Sequence, residues 1–174
     1  MGHMINAKEE IYHALAERLS KTPEGAPINE DLMAILHQLY TESEALVGSK
    51  FSSIPMTLNK IARITGIEET ELKVILDGMS DKGLVLDIPR KDSFYYMLAP
   101  MLVGFFEYTF MRTGDHISLK DLAELFEAYF HSEGVMKEIA GFATHFRNFI
   151  PSIDLDKCIS CGICAYKCNS TQSV

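Results

Sequence analysis

Hydrophobic residues recur every three or four positions along most of the chain, which is the period of amphipathic helices. Ile11, Leu15 and Leu19 form the first such stripe, in a helix predicted over residues 4–21. Proline and glycine in the following stretch, 22–27, cannot continue this helix. Because the stripe is narrow, the helix must pack on the rest of the chain or on a partner.

Two further helices are predicted from their caps and their apolar faces. The side chain of Asn29 can cap the first of them. Thr41 and Glu44 have the spacing of a capping box, which predicts a second, short helix through Val47. The buried face of the first helix is predicted to comprise Leu32, Ile35, Leu36 and Leu39.

The middle of the chain predicts two short helices followed by two strands. Thr57 can cap the first helix, which ends at Gly66. The second helix is predicted over residues 68–82, with Gly83 as its C-cap. The next segments are β-like, turn-forming and β-like in that order: 84–88, 89–93 and 94–98.

Helix, turn, helix and hairpin is the order of elements in a winged helix-turn-helix. Residues 58–99, which include the strings MSDKGLV and FYYMLAP, resemble the winged helix-turn-helix modules common in bacterial regulators. The resemblance implies a compact unit in which the hairpin forms the wing.

The later part of the chain predicts added helices. Residues 101–111 are apolar at nearly every position, which indicates a helix that is buried or lies in a subunit interface. Together with the narrow N-terminal stripe, this apolar surface predicts a two-fold homodimer. Another helix is predicted over roughly 133–146, and Pro151 should end regular structure. Between them, Ser118 is expected to cap a helix whose inward face comprises Leu122, Leu125, Phe126 and Tyr129.

Charge and length exclude several classes of protein. The formal net charge of −8 and the pI near 5.2 argue against a general nucleic-acid coat and against binding to anionic membranes. No apolar run approaches the roughly 20 residues that span a bilayer. The first residues resemble a cloning remnant ahead of Met4, and no secretory signal follows. A cytoplasmic protein is therefore expected.

The cysteines change the interpretation, because all four lie close together near the C-terminal end. A disulfide framework would distribute them along the chain, whereas this clustering in a cytoplasmic protein predicts a metal site. Structural zinc usually takes two separated Cys-x2-Cys pairs. One compact run therefore favours an iron–sulfur cluster over zinc or free thiols. The predicted ligands are Cys158, Cys161, Cys164 and Cys168.

The spacing C-x2-C-x2-C-x3-C resembles the signature of bacterial ferredoxins. The lead-in from Ile153 matches that family, as does Gly162, which permits close approach of the backbone to a cluster. The resemblance implies a [4Fe-4S] cluster held by the cysteines. Asn169 departs from the family, which usually has proline after the fourth cysteine.

The fourth cluster ligand stays open, because this chain has a single motif. In two-cluster ferredoxins the fourth cysteine of each motif ligates the other cluster. The alternatives are Cys168 folding back, a non-cysteine ligand, a three-iron [3Fe-4S] cluster, and Cys168 of a second chain. A native chain that continues beyond Val174 is a further alternative.

The predicted fold class is mostly α. It combines a winged helix-turn-helix with a two-stranded β-hairpin, added helices and a small C-terminal ferredoxin-like cluster segment. The predicted divisions are a cloning remnant with an amphipathic helix, a winged-helix domain, a helical dimerisation region and an iron–sulfur segment: 1–27, 28–100, 101–150 and 151–174.

The arrangement resembles iron–sulfur proteins of anaerobic bacteria, which implies one-electron transfer to a redox partner protein. No catalytic motif was found, so substrate chemistry is not expected. The alternative is a redox-sensing transcriptional regulator that binds DNA. DNA binding is disfavoured, because the predicted recognition helix carries five carboxylates against two lysines. The candidate phosphate contacts are Lys60, Arg63, Arg90 and Lys91.

Overall fold

The computed structural model describes residues 2–22, 25–91, 93–111 and 118–138. This part of the chain is mostly helical and contains one small antiparallel sheet. None of the helices described is both long and apolar enough to cross a membrane. The helices are α1 (Gly2–Ser20), α2 (Glu30–Leu39), α3 (Glu42–Ser49), α4 (Leu58–Thr65), α5 (Glu69–Asp81), α6 (Phe106–Met111) and α7 (Leu119–His131), and the strands are β1 (Met56–Thr57), β2 (Val85–Arg90) and β3 (Ser93–Leu98).

The helix caps read from the sequence are confirmed at α2 and α3. The Asn29 side chain accepts a hydrogen bond from the backbone N–H of Leu32 at 2.8 Å. At α3 the capping box is complete, since Thr41 accepts from the backbone N–H of Glu44 while Glu44 accepts from that of Thr41. Both caps satisfy N–H groups that have no partner inside the helix.

Thr57 occupies the N-cap position of α4, as predicted, but its side chain makes no capping hydrogen bond there. Thr57 also belongs to β1, where it lies opposite Tyr95, and Met56 lies opposite Tyr96. The sheet therefore has three strands in the order β1-β3-β2, not the two strands of the predicted hairpin. A strand of two residues is too short to show the alternation that marks strands in a sequence.

The hairpin turn is also shorter than the predicted segment 89–93. Pro89 lies opposite Phe94 and Arg90 opposite Ser93, so β2 and β3 continue almost to the tip. Proline is tolerated here because β2 is an edge strand of the sheet.

The N-terminal stripe packs within the chain. Leu15 and Leu19 are fully buried and Ile11 is partly buried. Gly48 of α3 brings the two helices together, since a Cβ there would lie 2.9 Å from the Leu15 Cδ1. This packing corrects the basis of the homodimer prediction, because the stripe is not available to a second copy.

Residues 101–111 are likewise used inside the protein. They form a π-helical turn over Met101–Phe105, followed by α6. Met101 and Phe105 are fully buried. The homodimer stays a prediction. The two apolar surfaces that suggested it, on α1 and in residues 101–111, are packed within this chain.

The predicted Ser118 cap is present, since its side chain accepts from the backbone N–H of Asp121 at 3.4 Å. Leu122, Phe126 and Tyr129 are buried as expected, and Leu125 packs partly buried against the core. Beyond α7, residues 135–138 are helical. The remainder of the helix predicted over 133–146 lies outside the described residues.

Lys82, at the end of α5, binds two other helices. Its Nζ donates to the Glu44 carboxylate at 2.5 Å and to the backbone carbonyl of Leu39 at 3.0 Å. Only 8% of the Glu44 side chain is exposed, so this ion pair is largely shielded from water. The end of α5 is therefore anchored to the end of α2 and the start of α3.

Gly83 brings α6 to the same turn. Its φ of 78° lies in the left-handed region, and a Cβ there would lie 2.6 Å from the Tyr108 Cβ. The Thr109 hydroxyl donates to the Lys82 carbonyl at 3.0 Å. We refer to Lys82 and Gly83 as the junction turn.

Two buried tyrosines differ in how their hydroxyls are satisfied. Tyr12 donates to the Tyr40 carbonyl at 2.8 Å. The Tyr40 hydroxyl has no hydrogen-bond partner within the part of the chain that the structure describes. Burial, and secondarily the negative charge of Glu44, raise the pKa of Tyr40, so it stays neutral.

We expect Lys82→Met to lower the free energy of unfolding by about 2–3 kcal/mol, because it leaves the Glu44 carboxylate buried without its counter-charge. Adding Glu44→Gln should recover part of that loss, since glutamine can still complete the capping box. Urea unfolding followed by circular dichroism measures both effects.

The matched control is Lys73→Met, which removes an exposed pair with Asp77 on the same helix. We expect it to cost less than about 0.5 kcal/mol. Equal losses in Lys73→Met and Lys82→Met would contradict the role assigned to the junction turn.

We expect Tyr12→Phe and Tyr40→Phe to have different effects on stability. Tyr12→Phe removes a buried hydrogen bond and should cost about 1 kcal/mol. Tyr40→Phe removes a buried hydroxyl without a partner and should be neutral or stabilising by up to about 1 kcal/mol. The same urea titration compares them, and a larger loss in Tyr40→Phe would show that its hydroxyl has a partner.

Candidate functional site

The predicted cluster ligands and Gly162 lie outside the described residues: Cys158, Cys161, Gly162, Cys164 and Cys168. Across residues 2–138, apart from the gaps given above, no group of three or more His, Cys, Asp or Glu side chains could hold a metal ion.

The turn between α4 and α5 is formed by Gly66 in the left-handed conformation, with φ of 74°. Its N–H donates to the carbonyl of Ala62 at 2.8 Å, which closes the last turn of α4. This turn holds the two helices of the predicted helix-turn-helix against each other.

The four candidate phosphate contacts are exposed, and they lie on two separate elements. Lys60 and Arg63 lie one turn apart on α4. Arg90 ends β2 and Lys91 lies in the hairpin turn. The Arg90 guanidinium lies over the Tyr95 ring, 5.4 Å from its centre, which orients it along the hairpin.

Arg63 shares an open hollow with two carboxylates at the start of α5. The hollow has a volume of about 560 Å³, and Glu68 and Glu69 line it together with Arg63. Asn59 donates to the Glu69 carboxylate at 2.9 Å, which holds that carboxylate at the hollow. The charge of Arg63 is therefore opposed locally, which weakens it as a phosphate contact.

Glu68 is charged at neutral pH. Hydrogen bonds from the Thr70 hydroxyl and the Thr70 backbone N–H lower the pKa of its carboxyl. The same carboxylate caps α5. The start of the predicted recognition helix is consequently anionic, where a helix that reads DNA would meet phosphates.

Both lysines on and next to α5 have acidic partners. Lys73 pairs with Asp77 one turn along the helix, and this hydrogen bond raises the pKa of Lys73. Lys82 points to the buried side at Glu44. The exposed surface of α5 therefore presents carboxylates with little free positive charge.

An exposed apolar side chain lies within this acidic surface and was missed from the sequence. Val74 is 72% exposed. At 3.6 residues per turn, it lies about 200° around the helix from the buried Leu72 and Leu76. The sequence could have identified Val74 as exposed, because this position lies outside the apolar stripe of α5. An apolar centre with charged surroundings is suited to binding a protein.

No protein-family profile, curated protein or solved structure matches this sequence.

Proposed function

We propose that this protein binds a [4Fe-4S] cluster and transfers single electrons to a redox partner protein. The observation that carries the proposal is the C-x2-C-x2-C-x3-C spacing near the C-terminal end.

The donor set fits such a cluster chemically. Thiolate sulfur is the ligand that iron–sulfur clusters take, and four thiols lie on one short segment. In this proposal the cysteines hold the irons as thiolates, and Gly162 leaves room for the backbone to wrap closely. When bound, such a cluster supplies one-electron transfer.

The helical body serves as the docking scaffold for the redox partner. The carboxylates of α5 favour a partner with a basic surface, because complementary charges speed encounter and orient the two proteins. Val74 would supply an apolar contact at the centre of that surface.

We expect anaerobically purified protein to contain iron and acid-labile sulfide, and Cys161→Ser to lose both with its visible absorbance. Iron and sulfide analysis and electron paramagnetic resonance measure this outcome. Far-ultraviolet circular dichroism should stay unchanged, because the core residues of the helical body lie upstream of the cysteine segment.

The matched control is Ser160→Ala, which changes the neighbouring side chain and leaves every thiol in place. It should retain iron at the wild-type level. Zinc in place of iron in the wild-type protein, or full iron retention in Cys161→Ser, would exclude the proposal. Loss of helical signal in Cys161→Ser would instead mean that cluster binding and folding of the body are coupled.

We also propose that the body contains a winged helix-turn-helix. Its support is the order α3, β1, α4, α5, β2 and β3, together with the antiparallel strand order β1-β3-β2. Gly66 supplies the tight turn between the two central helices. The β2–β3 hairpin corresponds to the wing.

A DNA-binding redox regulator is the second candidate, and the exposed Lys60 and Arg63 favour it. The acidic surface of α5 argues against it, because a recognition helix with this charge repels phosphates. We therefore expect no salt-sensitive, site-specific binding when cluster-loaded protein is titrated with DNA from upstream of its own gene.

Gel-shift titration at several salt concentrations tests this prediction. Should binding occur, the double variant Lys60→Ala and Arg63→Ala identifies the surface responsible. Its matched control is Lys120→Ala and Lys137→Ala, which removes two exposed lysines elsewhere on the body. If Lys60→Ala and Arg63→Ala weaken DNA binding and the control pair does not, the protein is a DNA-binding regulator. The proposed role of the body as a docking scaffold for a redox partner would then be wrong.

A further inference from the structure

An apolar groove lies between α6 and α7. Its volume is about 360 Å³, and Glu127 is its one charged lining residue among the described part of the chain. The other lining residues are Phe106, Phe110, Ala123, Phe126 and Phe130.

The rings of this groove are packed against one another and stay partly exposed on one side. The Phe106 ring centre lies 4.8 Å from that of Phe126 and 5.2 Å from that of Phe130, both in edge-to-face geometry. Phe126 is buried beneath them, whereas Phe106, Phe110 and Phe130 are only partly buried. The walls are thus fixed by ring packing, and the apolar surface above them has no cover among the described residues.

The chain turns back towards the body directly after α7. Ser132 accepts a hydrogen bond from Asn29 at 2.8 Å, which fixes the start of this turn to the start of α2. Gly134 adopts a φ of 88°, and Val135 is buried. Residues 135–138 are helical where the described chain ends. The described chain therefore ends four residues after it returns to the body through Gly134, with Val135 buried.

Residues 139–150 carry the pattern that such a groove requires. Ile139, Phe142, Phe146 and Phe149 recur at spacings of three and four, with small or polar residues between them. Together with the helical residues 135–138, a helix that ends at residue 150 would have sixteen residues and extend about 24 Å, enough to run along the thirteen residues of α7, which are about 20 Å long. Two antiparallel helices joined by a short turn pack in this way.

We propose that residues 139–150 occupy the groove between α6 and α7, with their apolar face on its phenylalanines. This docking would attach the cysteine segment to the body at a defined place, in contrast to a freely tethered segment. The proposal depends on the groove and the apolar pattern, and it stands whether or not the cysteines bind iron.

The test is amide hydrogen exchange on the full chain, with Ala123→Asp as the variant. Ala123 is exposed and lines the groove, so a short carboxylate there could not reach water around a docked helix. We expect residues 139–150 of the wild-type protein to exchange at least about tenfold more slowly than unstructured chain, and Ala123→Asp to remove that protection.

The matched control is Ala128→Asp, which places the same charge at another exposed alanine of α7 outside the groove. It should leave the protection of residues 139–150 unchanged. The proposal is overturned if the wild-type segment is unprotected, if Ala123→Asp has no effect, or if both variants lose protection equally.

Protein concentration distinguishes a second copy as the occupant. Docking within one chain gives protection that is the same in dilute and concentrated samples, and light scattering should then give the same mass for the wild type and Ala123→Asp. Protection that rises with concentration, together with a dimer mass lost only in Ala123→Asp, would assign the groove to a second copy and reject the proposal.

Discussion

Four helices meet at the junction turn of Lys82 and Gly83, and the arrangement of the body depends on it. The Lys82 side chain reaches the end of α2 and the buried Glu44 at the start of α3, while its carbonyl accepts from Thr109 of α6. Gly83 lets α6 approach where any side chain would collide with Tyr108. Two neighbouring residues thus act at one place. Lys82 supplies the positive charge that the shielded Glu44 carboxylate needs, and Gly83 lacks the Cβ that would prevent the close packing of α6.

This junction also determines the chemistry of the surface. Since Lys82 is drawn inwards and Lys73 is paired with Asp77, the exposed side of α5 is left with carboxylates around Val74. A second exposed feature of the described body is the apolar groove between α6 and α7. The described body therefore offers an acidic surface on α5 and an apolar surface between α6 and α7.

Local features of the fold were predictable wherever the determining residues are neighbours in sequence. Asn29 and the pair Thr41 and Glu44 act within one helical turn, so their caps were identified correctly. The β1 strand was missed because its pairing with Tyr95 and Tyr96 depends on residues far along the chain. The N-terminal stripe of α1 was recognised, yet only packing against Gly48 showed that it is covered within this chain.

The sequence by itself determined the helices, their main caps and the cysteine spacing, because each of these depends on residues within a few positions of one another. The tertiary structure decided which side chains remain available at the surface. Lys82 is an unremarkable helix-terminal lysine in sequence, and it is withdrawn from the surface only because folding brings it to Glu44, 38 residues away. Charge at a surface is set by such long-range pairs, which local patterns do not contain.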